Sequence, residues 1–340
     1  MAPAGAAVAA SGDVAAVASQ PPHIWILSPA FDLLFFVGSS IFVVLAWIAA
    51  EHLALPSMAI IGTVAVISNG PHLASTWTRV YLDGHERFKR PFHYFVVPAL
   101  LVGFVVSMVY LEGRQSAVLR SVLFYWAFWH FVSQCWGILR IYQRKAGEVG
   151  KPIAHLERAL VYLVALSPML ERLHTGPWVL FGAEIWHPEI PVWMVRAVWL
   201  STAMCALAYA AARFVQRASG TRVYWIRPVF IAATAVAFYV PFTMIKSNGG
   251  AAFAAAACWH GFQYLGIVWF YNRNRWKAGV DPKAKLVSWI SQPGRAVAYF
   301  LALLALVGIF YGSILVVGAF VLDEKTLGSL VWLSLTFGHY

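Results

Sequence analysis

The sequence predicts an all-α polytopic membrane helix bundle. Three observations carry that reading. Of 340 residues, 61% are hydrophobic and only 11% charged, a balance too apolar for a water-covered surface. The apolar residues fall in runs long enough to cross a bilayer, which takes about 20 residues per helix. The basic residues gather in alternate connections between those runs.

Residues 1–22 are rich in Ala, Gly, Ser and Pro and lack the basic start and apolar run of a signal peptide. They read as a disordered cytoplasmic tail, with 23–340 the transmembrane domain. The spanning runs are 31–50, 57–81, 94–112, 117–142, 156–172, 190–213, 227–246, 250–271 and 296–321. A tenth begins near Gly328 and stops at Tyr340, too short to cross. The expectation is nine complete helices plus a truncated tenth: either the sequence is a fragment, the favoured reading, or the last segment is not a spanning helix.

Orientation follows from charge. Loops 83–92, 143–155, 214–226 and 272–295, with the adjoining helix ends, hold all but six of the 25 Lys and Arg residues. The exceptions are Arg114, Arg120, Arg172, Arg196, Lys246 and Lys325. The basic side is cytoplasmic by the positive-inside rule. The N-terminus is then cytoplasmic too, in what reads as a bacterial cytoplasmic membrane. The net charge of +11 does not form a basic patch with stacking aromatics, so nucleic acid is not an expected partner. On the opposite side, 173–189 is the longest connection, and Trp178 and Trp186 suit an interfacial or re-entrant loop. His174 and His187 in that loop read as surface residues. Cys135, Cys205 and Cys258 each sit in an apolar run without paired spacing, and read as buried free thiols.

Eleven histidines are present, and four lie inside apolar runs: His72, His130, His260 and His339. Ionisable groups inside a membrane are costly and usually mark function. All four fall on runs of one direction, the second, fourth, eighth and tenth. Each lies roughly 15–22 Å below the outer surface, near the middle of the hydrocarbon. Neutral imidazole is the commonest metal ligand, so a histidine metal cluster forms if those helices are neighbours. Histidines satisfied by packing are the plainer alternative.

Polar residues follow the histidines at helical spacing: Thr76 after His72, Gln134 after His130 and Gln263 after His260. They are candidates to accept a ring N–H from the histidines, or to hold water or substrate through their side-chain oxygens. Trp129 and Trp259 are candidates to wall a lipophilic pocket. Pro71 should kink the second helix and free a carbonyl near the cluster. Gln134, Gly137, Ile138, Tyr142 and Arg144 match Gln263, Gly266, Ile267, Tyr271 and Arg273 at constant offset. Either a duplication or a shared local solution would explain that. Gly137 and Gly266 should permit close helix approach.

No carboxylate stands at cluster depth, so an all-histidine site fits better than two histidines and a carboxylate. HxxxH and HxxHH boxes are absent, as are nucleotide and serine-hydrolase motifs. His85 and His93 lie in a basic loop and read as loop residues rather than metal ligands. NGPHLAST (Asn69 to Thr76), WHFVSQ (Trp129 to Gln134), CWHGFQ (Cys258 to Gln263) and the terminal GHY resemble motifs of the Brp/Blh membrane carotene dioxygenases. That resemblance implies a multi-pass fold and non-haem iron held by His72, His130, His260 and His339. It also implies oxidative cleavage of a carotenoid. Thr76, Gln134 and Gln263 stand where that family has acidic or histidine residues, a departure that bears on substrate and catalysis.

The leading expectation is a metal-dependent membrane oxygenase acting on a lipophilic small molecule. A haem-binding electron-transfer protein and a transporter of metal ions or small solutes are the alternatives.

Overall fold

A computed structural model describes residues 24–112, 117–180 and 183–321. The N-terminal tail with His23, residue Arg114, and the tenth run with Lys325 and His339 lie outside the described residues. The described chain is helical apart from loops and one short hairpin.

In chain order the elements are α1 (Pro29–His52), α2 (Ser57–Val80), α3 (92–112), α4 (Ala117–Lys145) and α5 (Pro152–His174). The hairpin β1 (Val179–Leu180) and β2 (Ala183–Glu184) follows. Then come α6 (Val192–Ala218), α7 (Ile226–Met244), α8 (Gly249–Arg275), a short α9 (Lys285–Ile290) and α10 (Ala296–Val321). A helix thus occupies each of the nine long apolar runs. Among the described residues, six helices are long and apolar enough to cross a membrane: α1, α2, α5, α6, α7 and α8. The expected nine crossings are therefore supported only in part. Two shorter apolar stretches, Phe92–Val105 in α3 and Ala296–Ile309 in α10, stand beside these six among the described residues. Arg120, His130, Gln134 and Arg140 interrupt the apolar run of α4. The six helices support an integral membrane protein.

The bundle is organised around α8. It packs on α1 and α2 to one side and on α7 and α4 to the other, while α10 lies against α2. A second group joins α5 to α6, α7 and α4. The sequence explains the central place of α8. Every residue from Gly249 to Gly261 is buried, and the stretch AAFAAAA (251–257) offers small side chains on every face. Small residues let helix backbones approach closely, the main source of packing energy where lipid is as apolar as leucine. A Cβ at Gly266 would come within 2.9 Å of the Phe35 Cβ, and one at Gly261 would meet the Ser68 hydroxyl. Gly137, expected to act as Gly266 does, is exposed with open space beside it. The offset match between α4 and α8 therefore does not carry into equivalent packing. Tyr142 is buried and donates to Asp32 at 2.9 Å, whereas Tyr271 is half-exposed and accepts from Arg275.

α2 accommodates Pro71 by widening its turn. Proline lacks an N–H, and its ring clashes with the carbonyl four residues back. Residues Ala65–Asn69 form a π-helical turn, in which the Gly70 N–H donates to the Ala65 carbonyl five residues back. Such turns arise where a regular ladder cannot continue. Ser68, within that turn, donates to the Cys258 carbonyl at 2.7 Å and ties α2 to α8.

The basic loops pair with one another. Arg275 bridges Asp83 at 2.6 Å and Glu86 at 3.1 Å, and His85 Nε2 lies 3.0 Å from Asp281. The Gly84 N–H donates to the Lys283 carbonyl at 3.0 Å. Where α4 to α7 reach the same face, Glu148 and Glu157 meet Arg213 and Arg227 in a buried network of two acids and two bases. Tyr209 and Gln143 also donate to Glu157, at 2.9 and 2.8 Å. At the far end, the hairpin loop covers the start of α8. Trp178 is buried against Phe124, Phe242 and Gly249, so it is a core residue rather than the interfacial one expected. Trp186 is exposed, as an interfacial tryptophan should be. Cys135 and Cys258 are buried free thiols as expected, and Cys205 is half-buried.

Glu157→Gln leaves two buried guanidinium groups short of charge. It should cost about 3 kcal/mol or more, read as a lower thermal midpoint in detergent, while Lys89→Ala on the exposed Lys89–Glu86 pair should move it little. Gly261→Ala overpacks the α2–α8 contact and should cost about 1–3 kcal/mol. Adding Ser68→Ala should recover part of that loss, although alone it removes a hydrogen bond worth about 1 kcal/mol. In the loop clamp, the Lys283 N–H and the His85 side chain hold the Asp281 carboxyl below the usual aspartate range. A lowered carboxylate pKa contributes stability that is complete above the ordinary aspartate value and lost as pH falls through the lowered one. The protection factor of the Gly84 amide against hydrogen exchange should therefore fall in acid, and Asp281→Asn should abolish that acid step.

Candidate functional site

The central helix brings three of the four intramembrane histidines together. The His260 ring lies between the other two: its centroid is 5.0 Å from that of His72 on α2 and 4.8 Å from that of His130 on α4. The rings meet edge to face, at interplanar angles of 69° and 71°. His72 and His260 are buried, and His130 is half-buried. The small residues of α8 make this convergence possible, since bulky neighbours would hold α2 and α4 apart. His339, the fourth expected member, lies outside the described residues.

The Thr and Gln partners are near the cluster. The Gln134 amide donates to the main-chain carbonyl of His260 at 2.9 Å and to the Gln263 side-chain oxygen at 3.1 Å. Thr76 hydrogen-bonds the Tyr264 hydroxyl at 3.2 Å. Tyr264 in turn packs edge to face on His72, with centroids 4.5 Å apart. The cluster is thus flanked on the α2 side by Thr76 and Tyr264 and on the α4 side by Gln134 and Gln263. Phe131 covers His260 at 4.4 Å.

The two glutamines have a fixed polarity. A main-chain carbonyl only accepts, so the group of Gln134 facing the His260 carbonyl is its nitrogen. The same nitrogen then meets Gln263, whose facing atom is its oxygen. Gln263 is fully buried, and the Cys135 thiol also approaches that oxygen, at 3.9 Å. Its nitrogen is turned elsewhere.

The tryptophan candidates separate. Trp129 is 58% exposed, and its ring contact is with Tyr162 on α5 rather than with the histidines. Its place one residue before His130 puts it about 100° around the helix, on the outer face. Trp259 is buried and faces Phe230 and Phe238 of α7. His85 pairs with Asp281 in the loop clamp, and His174 Nδ1 lies 2.7 Å from the Ile190 carbonyl. Tyr264, Phe131 and Ser68 are the site neighbours that the sequence reading missed. Ser68 and Tyr264 stand four residues from His72 and His260, the same one-turn spacing that picked out Thr76 and Gln134.

Imidazole donors at membrane depth suit a transition metal chemically. Among the described residues, however, no group of three or more His, Cys, Asp or Glu side chains is arranged to hold a metal ion. The three rings converge without closing a three-donor site. No protein-family model, curated protein or solved structure matches the chain.

Proposed function

We propose that this protein is a membrane non-haem iron oxygenase acting on a lipophilic substrate such as a carotenoid. The single observation that supports this reading is the meeting of His72, His130 and His260, from three separate helices, inside an apolar bundle. Chance packing has no reason to bring three costly polar side chains to one point. The resemblance of the surrounding motifs to the Brp/Blh carotene dioxygenases points the same way.

In this reading His72, His130 and His260 would hold the metal, and the donor set would be completed by His339. Bound iron supplies the activation of dioxygen. The protein's own residues do the rest. Phe131 and Tyr264 shield the imidazoles from water. The Gln134 bond to the His260 carbonyl fixes α4 against α8 and sets the spacing of the two rings. The apolar faces of α2 and α4 admit a substrate from the bilayer. The chain crosses the membrane nine times before its last segment, with the basic loops and the N-terminus in the cytoplasm of a bacterial cell. The edge-to-face contacts leave no gap between these rings for a porphyrin, which favours the non-haem reading over haem.

Metal content and the visible spectrum, measured on one sample purified in mild detergent, test the proposal. About one iron per chain without a Soret band is expected. His72→Ala, His130→Ala and His260→Ala should each lower bound iron and abolish oxygen-dependent bleaching of an added carotenoid. Full retention of both in all three variants would sink the reading. A Soret band would replace it with a haem protein.

A further inference from the structure

Two buried N–H donors stand one turn apart on α8, on the flank of the histidines that faces α4 and α7. They are Trp259 Nε1 and Gln263 Nε2, in side chains 1% and 0% exposed, and neither has a hydrogen-bond partner among the described residues. Their spacing of four residues puts them on one helix face. The polarity of the Gln263 amide is not arbitrary. The His260 carbonyl orients Gln134, and Gln134 holds the oxygen of Gln263, so the two N–H bonds of Gln263 are left pointing away from α4's amide. Around these donors stand Phe230 and Phe238 against Trp259, Cys135 and the Gln134 amide against Gln263, and the buried Thr234 hydroxyl beside Cys135. A buried donor without an acceptor is costly, and more so in an apolar medium. No cation stands among these contacts to attract an anion.

We propose that Trp259 and Gln263 form a binding site for a neutral acceptor oxygen, the carbonyl or ether oxygen of an apolar ligand, beside the histidine cluster. The chemistry selects against a donor-only group, since both protein groups donate. The Gln263 oxygen accepts from Gln134, and its nitrogen is the atom on offer. This site does not rest on the metal reading, because neither residue is one of the histidines.

The test uses two molecules of one shape, undecan-2-one and 2-methylundec-1-ene, in which a methylene replaces the carbonyl oxygen. Each is titrated into the full chain in detergent, and the thermal midpoint against concentration gives an apparent Kd. The ketone should bind more tightly than the alkene, and its carbonyl stretch should move to lower frequency than in hydrocarbon. Trp259→Phe and Gln263→Leu should each weaken ketone binding about fivefold, as expected for one lost hydrogen bond, and leave alkene binding unchanged. An equal affinity for ketone and alkene in the wild type overturns the proposal without any variant having to fold, and leaves water as the acceptor. A ketone preference that survives in both variants overturns it as well.

Discussion

Close approach to α8 is the constraint on which the rest of the structure depends. Its first half carries alanine and glycine where other helices carry leucine, so four helices can lie against it at once. That closeness puts the Ser68 hydroxyl on the Cys258 carbonyl and the Gln134 amide on that of His260. Neither bond would reach across a bulkier interface. The histidines meet for the same reason. They share a depth because each sits at a similar height on its helix, and they touch because the helix in the middle has almost no width of its own.

The positions of the helices were legible from hydropathy alone, because long apolar runs have few alternatives in lipid. The convergence of His72, His130 and His260 was legible too, through direction and depth. Which face of α4 would point inward was not. Trp129 and Gly137 looked like site and packing residues by composition, yet both lie on the exposed side. Apolarity marks the lipid face and the core alike in a membrane helix, so it cannot choose between them. Trp178 was misplaced by a related ambiguity, since the aromatic that belongs at an interface also fills a core gap well. Pro71 was read as a kink, and the structure answers it with a wider turn ahead of the ring.

The internal likeness of α4 and α8 teaches a similar lesson. The paired glutamines do meet, and they hydrogen-bond one another. Around them the matching residues part company: one glycine is wedged against Phe35 and the other lies open. One tyrosine is buried on Asp32, and the other reaches Arg275 at the surface. Similar spelling has been put to different use, because one helix is the axis of the bundle and the other is on its flank.

The charge network on the basic face also imposes an order in time. Glu148 and Glu157 leave the ribosome well before Arg213 and Arg227. Until α6 and α7 arrive, the two carboxylates have none of the arginine partners they meet in the finished fold. Burying them early would cost several kcal/mol each, so the start of α5 has to wait in contact with water. The half of the bundle built from α4 to α7 therefore cannot lock before α7 is made, however early its first helices enter the membrane. A chain halted before Arg213 would carry a finished α5 and neither of the arginines that seat it.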